Sequence, residues 1–438
     1  MQRVDRKQPS EIPVNRPALS GWRSGLAGLL LACAGVQPAV AQLLYDTEYP
    51  QMGYGHTAPT DAFTATMQRL GASGTKLPAV EQRGYLDALL KELDIDPASQ
   101  VLVFSKSSLK QRYITPENPR SLFFNDDVYV GFVPGSRSLE VAAMDPLLGP
   151  VFFDFTQEAD AEAPYKQETS RCLRCHDSYS MTGGGVPRFM LSSVIAGADG
   201  NIVSHELSEI TDITTPVSDR WGGWYVTGKS GKQGHLGNFI VTDASMLAQK
   251  PWQGQINTDK LDNFVDLSTY PRQTSDIVAL LVLQHQVDLQ NRIVRLNFET
   301  RKLLAENPAA GDKELQPLVM PLLQGLFMAD EAPLADTVEG NSGYREAFEQ
   351  RGPKTTDGFS LRTFDLKSRT FKYRLSYQIY SKAIDGLADP VKGLLFRDIR
   401  AVLDGDTLLL PDYELPADER QTIRTILQAT KPEVLALE

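Results

Sequence analysis

The sequence predicts an α+β protein, with a β-rich N-terminal and central part and a mainly helical C-terminal part. Three observations predict it. Short runs rich in Val, Phe and Tyr, bounded by Pro, Gly and Asn, recur between residues 101 and 155. Runs of the same kind return between 189 and 241. Beyond Pro271 the apolar spacing changes to the 3.6-residue period of helices. With 438 residues, 42% hydrophobic and 23% charged, the chain can bury a sizeable core and is neither disordered nor fibrous.

Taken in order, residues 1–41 have the layout of a secretory signal peptide. Arg16 and Arg23 precede an apolar run from Leu26 to Val36, and Ala39-Val40-Ala41 ends it as an A-x-A cleavage site. The run is too short to span a bilayer, and no later stretch of about 18 apolar residues follows. The mature chain is therefore expected in the periplasm, without a membrane span. Leu30-Leu31-Ala32-Cys33 offers a competing lipoprotein site with Cys33 as lipid anchor, but Gln42 after the A-x-A favours simple cleavage.

Residues 42–158 read as a β-rich domain with two N-terminal helices, at 60–70 and 80–93, the second closed by Pro97. Strands are expected at 101–104, 122–133, 139–143 and 151–155. Residues 159–270 read as a helix at 160–171 followed by strands at 189–195, 202–203, 224–227 and 239–241. Residues 271–438 form the helical region, with helices at 274–304, 315–327, 344–350, 370–384, 390–402 and 417–428.

Charge excludes one class of partner. The chain carries 44 Lys+Arg against 55 Asp+Glu, a net −11, and removing the five basic and two acidic residues of 1–41 takes it to −14. Such a chain does not coat nucleic acid through bulk positive charge.

Loss of residues 1–41 also removes Cys33 and leaves Cys172 and Cys175 as the only thiols, which excludes a disulfide scaffold. They stand in Arg171-Cys172-Leu173-Arg174-Cys175-His176, the C-x-x-C-H spacing of c-type haem attachment. Random placement gives two cysteines this far apart with a following histidine in under about one in 10,000 chains. Two thiols so spaced reach the two vinyl groups of one haem, and the adjoining histidine is delivered to the iron as proximal ligand. One covalent haem c is therefore expected, held by Cys172, Cys175 and His176. Two other chemistries use the same residues: a zinc site completed by a fourth ligand, and a redox-active dithiol. The lack of a βαβ context weighs against the dithiol.

The sixth coordination position separates electron transfer from small-molecule chemistry. Met181 lies five residues past His176, a short loop for wrapping over a haem; Met190 reads as strand packing and Met246 as a core residue of a short helix. His235 is the preferred distal ligand or distal polar group, because 228–238 is glycine-rich and glycines let backbone approach a flat cofactor closely. His205 lies near a strand end, His285 on an apolar helix where a hydrogen-bonded core role is the default, and His56 in a loop. Arg188 and Arg220 flank the two haem segments, and Arg171 and Arg174 lie within the attachment run; a guanidinium can bind a haem propionate bidentately.

Other patterns mislead. Residues 223–230 satisfy the phosphate-loop pattern, yet the interior Trp-Tyr-Val-Thr is a strand run and Gly231 and Gly234 follow in place of a helix, so no nucleotide is expected. Asp126 and Asp127 on a strand run point to opposite faces, and no hydrolase elbow or calcium loop is present. The haem segment sits among strands in the middle of a long chain, unlike a small helical cytochrome c.

The runs 99–106 and 124–131, the motif at 172–176, Arg220-Trp221-Gly222-Gly223-Trp224-Tyr225-Val226-Thr227-Gly228 with His235-Leu236-Gly237-Asn238, and the stretches 360–366 and 376–381 resemble one known set of proteins. These are exported bacterial proteins with a single c-type haem motif, described as cytochrome c domain-containing. The resemblance spans most of the mature chain. It implies export and haem attachment at Cys172, Cys175 and His176, and groups the stretch around His235 with the same functional unit; it supplies no substrate.

The expected function is periplasmic electron transfer by a monohaem c-type protein whose acidic surface selects a basic redox partner. The alternatives are a haem redox enzyme acting on a small molecule at an open distal site, with His235 acting on the bound ligand, and a haem sensor signalling through its helical half.

Overall fold

The computed structural model describes residues 52–158, 164–178, 186–249 and 257–436, all of which belong to one compact unit. Residues 1–41, expected as a signal peptide and including Cys33, together with Met181 and the start of the helix expected at 160–171, lie outside these residues.

Helix α1 (Ala62–Ser73) starts where the Asp61 carboxylate accepts from the Thr64 N–H and stops at Gly74, which takes the left-handed conformation. Helix α2 (Leu86–Glu92) begins later than the expected residue 80, because Val80 and Gly84 exchange backbone hydrogen bonds and close a turn. Strands β1 (Val101–Val103), β2 (Arg120–Phe124), β3 (Val128–Phe132), β4 (Ser138–Asp145), β5 (Gly149–Thr156) and β6 (Tyr165–Gln167) follow.

Two expectations fail here. The run 122–133 is a hairpin, because the Asn125 side-chain oxygen accepts from the N–H groups of Asp127 and Val128 at 3.1 and 2.9 Å and turns the chain. Asp126 and Asp127 therefore sit in a turn, not on a strand. The helix expected at 160–171 is replaced at 165–167 by β6, which pairs antiparallel with β5.

The C-x-x-C-H motif forms the one-turn helix α3 (Leu173–His176). Strands β7 (Leu191–Gly197), β8 (Ile202–Thr211), β9 (Trp224–Tyr225) and β10 (Ile240–Val241) and helix α4 (Ser245–Gln249) complete the central region. The larger sheet has the order β6-β5-β4-β3-β2-β1-β9, so a strand from beyond the motif closes the sheet begun before it; the smaller has the order β10-β7-β8. Every pair of the larger sheet is antiparallel.

Helix α5 (Ile277–Glu306) is capped by Asp276, whose carboxylate accepts from the Val278 and Ala279 N–H groups. Helices α6 (Asp312–Leu326), α7 (Tyr344–Gln350), α8 (Lys382–Asp385), α9 (Asp389–Asp404) and α10 (Ala417–Thr430) follow. The single helix expected at 370–384 is absent. Ser376 caps a 3₁₀ turn at Tyr377–Tyr380, and Ser381, with extended backbone, ends that turn and caps α8.

Strand alternation decides what each face of the large sheet buries. Phe123, Val130, Val141, Phe153 and Phe155 pack with Phe63, Leu86, Leu89 and Leu90 of α1 and α2. Phe124, Tyr129, Met144 and Phe152, from the opposite face, join the core around α5. This α+β arrangement has a helical C-terminal part, as the sequence predicts, and its motif lies within the β-rich region. The polar residues of α5 have a purpose in this setting: Gln286 donates to the Asn125 carbonyl at 2.8 Å and Gln290 to that of Asp126 at 2.7 Å, satisfying the turn that the hairpin buries. Among the described residues no helix is long and apolar enough to cross a membrane.

Candidate functional site

The turn that carries the C-x-x-C-H motif, here the attachment turn after its expected chemistry, is anchored from both sides. Before it, the buried Glu168 accepts from Arg171 Nε at 2.9 Å, and β6 ties the preceding residues to the sheet. Within it, the N–H groups of Cys175 and His176 reach the Cys172 carbonyl at 3.2 and 3.1 Å, so the two thiols, three residues apart on one turn, lie on the same side. Leu173 packs into the cores of both sheet faces. Both thiols are free, Cys172 half-buried and Cys175 exposed. Burial, helped by the Glu140 carboxylate, pushes the Cys172 thiol up to about 12, which leaves it protonated near neutrality and ill suited to dithiol exchange.

His176 lies over Phe152, ring centroids 4.5 Å apart, and its Nδ1 stands 2.7 Å from the Arg188 carbonyl oxygen. A carbonyl can only accept, so Nδ1 carries the hydrogen and Nε2 keeps its lone pair. Burial lowers the pKa of this ring and holds it neutral. The Arg188 N–H returns a bond to the His176 carbonyl at 2.9 Å. The next residue, Phe189, is held by Asn291 of α5: its N–H donates to Asn291 Oδ1 at 2.9 Å and its carbonyl accepts from Nδ2 at 3.0 Å.

Cys172, Cys175, His176 and Arg188 are thus brought together, Arg188 through its backbone. Its guanidinium is lowered in pKa by burial, against the pull of Asp288 on α5.

Arg220 and His235 form a second locus. The Arg220 guanidinium, 2% exposed, donates to the carbonyls of Thr215 at 2.7 Å and Ile213 at 2.9 Å, stapling its own loop, and its backbone carbonyl accepts from Leu236. His235 is buried edge-on against Trp221, and its Nδ1 accepts from the Gly237 N–H at 3.0 Å. Its hydrogen therefore sits on Nε2, the opposite tautomer to His176. Burial lowers its pKa to about 4. Gly237 is required by packing, since a Cβ there would stand 2.3 Å from Val226 Cγ2. Among the described residues no hydrogen bond or ring contact joins His235 to the attachment turn.

Among the described residues, the other candidate histidines and methionines lie away from this turn or in ordinary packing. His285 is buried with both ring nitrogens engaged, Nδ1 by Glu331 at 3.2 Å and Nε2 by the Ser376 hydroxyl at 2.8 Å. His56 and His205 are exposed, and Met190 is half-buried. Met246 packs beside Leu236 and Phe239. In the phosphate-loop look-alike, Trp224 and Tyr225 form β9, and Lys229 pairs with Glu339 at 2.8 Å. Among the described residues no three His, Cys, Asp or Glu side chains are gathered to hold a metal ion.

Asn291, Phe152 and Glu168 are the site residues that sequence reasoning passes over. For Asn291 the signal is a run of buried or half-buried amides, Gln284, Gln286, Gln290 and Asn291, that follows the apolar start of the helix. No family model, curated protein or solved structure matches the chain.

Proposed function

We propose that the chain carries one covalent haem c on Cys172 and Cys175, with His176 Nε2 as proximal ligand, and serves in periplasmic electron transfer. The observation that carries this reading is the 2.7 Å bond between His176 Nδ1 and the Arg188 carbonyl. Histidine ligands commonly donate their second ring N–H to a carbonyl, which fixes tautomer and orientation and raises ligand basicity. The donor set fits as well: two unpaired thiols on one side of one turn, next to a neutral imidazole with a free lone pair. The bound group would supply one-electron chemistry at iron.

The chain's own residues hold and shield. Phe152 forms an apolar wall beneath the imidazole, Asn291 fixes the backbone that orients it, and the exposed Cys175 would hold its thioether where a partner can approach. That exposure favours electron exchange with a partner over chemistry in a closed pocket. Export rests on the A-x-A layout of residues 1–41.

The test is a visible spectrum of the full chain made in a host with haem c maturation, before and after reduction and in alkaline pyridine. A c-type haemochrome lost on Cys172→Ala with Cys175→Ala is the expected result. A colourless protein with bound zinc or a free thiol pair would overturn the proposal.

A further inference from the structure

A cavity of about 340 Å³ opens beside the attachment turn, with Lys110, Arg112, Arg137 and Arg171 in its wall together with Ser136 and Ser138. No carboxylate lines it, although the whole chain carries a net −11. The neighbouring carboxylates answer only part of this charge. Asp154 pairs with Lys110 at 3.0 Å and lies 4.0 Å from Arg171, and Glu168 takes Arg171. Two anions thus serve two of the four cations.

Arg112 and Arg137 have no carboxylate partner among the described residues. Arg112 is held in place without being neutralised: its guanidinium lies over the Tyr113 ring, 4.5 Å from the centroid, and donates to the Tyr113 hydroxyl at 2.6 Å. The backbone of Arg137 is pinned by its carbonyl, which accepts from the Gln157 N–H at 2.9 Å. The cavity stands at the small end of ligand sites, about 300–1,000 Å³, so it suits a compact group. Two unneutralised guanidiniums facing a small concave space match a carboxylate or oxyanion, which they bind through paired N–H donors.

We infer that this pocket is an anion-binding site for a carboxylate or small oxyanion, with Arg112 and Arg137 as its principal ligands and Lys110 and Arg171 as its charged walls. Because Arg171 directly precedes Cys172, the anion sits at the border of the attachment turn. An acidic group is thereby drawn to this face of an acidic protein, which reverses the partner charge that the composition alone suggests. Resting further on the haem reading, a bound anion next to the turn favours the more positive, oxidised iron and lowers the potential.

The experiment is calorimetric titration of the full chain at low ionic strength with two probes, inorganic phosphate and a hexaglutamate peptide. Binding to either supports the pocket: phosphate alone marks a free oxyanion, and peptide alone marks a carboxylate on a partner protein. Arg112→Gln with Arg137→Gln is expected to weaken binding at least tenfold, while Arg397→Gln, on an exposed helix face elsewhere, leaves it unchanged. Both target side chains are exposed, so the variant is expected to unfold at the parent temperature. Absence of binding by both probes, or binding that survives the double substitution, would overturn the inference. The titration does not need haem, so a colourless protein that binds the probes loses only the haem reading, and a haem protein that binds neither loses only the pocket.

Discussion

Asn291 holds Phe189 from both sides of its backbone, accepting its N–H at 2.9 Å and donating to its carbonyl at 3.0 Å. In the same peptide group as that N–H, the Arg188 carbonyl takes the His176 ring hydrogen. The imidazole is therefore oriented from the long helix through two consecutive backbone groups, and its position depends on an amide that does not touch it.

Asn291→Leu removes both bonds and leaves two backbone groups without their partner, a cost of about 2–4 kcal/mol. The denaturation midpoint should fall accordingly. In the haem-loaded protein the reduction potential and the iron–histidine vibration should also shift, a change that lost stability alone does not produce. Asn291→Asp keeps the acceptor and loses the donor, and an intermediate effect on both readouts is expected.

His235 contributes a pH dependence with a definite sign. Burial depresses its pKa to about 4, below the unfolded value near 6.5. The unfolded chain thus binds the proton more tightly, and stability is complete above about pH 6.5 and declines as pH falls toward 4, by at most about 3 kcal/mol. His235→Asn retains an acceptor for the Gly237 N–H and does not titrate, so unfolding midpoints measured from pH 7 to 4 should flatten by that amount. The visible spectrum of the haem protein is expected to be unchanged by it, since the hydrogen of this ring sits on Nε2.

The two cysteines should differ in the haem-free chain. Cys175 is exposed, whereas burial holds the Cys172 thiol near 12. Iodoacetamide at pH 8, followed by peptide mass analysis, should label Cys175 first by at least tenfold, a preference that disappears in denaturant. Equal labelling of the folded chain would contradict the described burial.

Asn125 makes the hairpin between β2 and β3 possible, and its side-chain N–H also donates to the Leu93 carbonyl at 2.8 Å. Asn125→Ala should cost about 1–3 kcal/mol in a denaturant titration, with a normal slope if only stability changes.

Much of this was legible in the residues, and the failures have physical causes. The C-x-x-C-H motif and the long apolar run of α5 announce themselves locally. The break in 122–133 was missed because the apolar residues on either side continue the strand alternation, and only the side-chain bonds of Asn125 turn the chain. The helix expected at 370–384 was lost to two serine caps that favour short turns over one continuous helix. The partner of His176 left no trace of its own, because the accepting group is a backbone carbonyl that every residue possesses. Glycines around His235 suggest backbone approach to a flat cofactor, whereas the approach visible at Gly237 is to Val226.

The separation of 102 residues between Phe189 and Asn291 bears on the order in which the chain matures. Synthesis proceeds from the N-terminus, so the attachment turn emerges well before the helix that fixes the backbone beside it. On the haem reading proposed above, attachment at Cys172 and Cys175 would be open during that interval, before the backbone beside the imidazole is fixed. Docking of α5 then fixes the Phe189 backbone, so on that reading the C-terminal half would close a step begun by the middle of the chain.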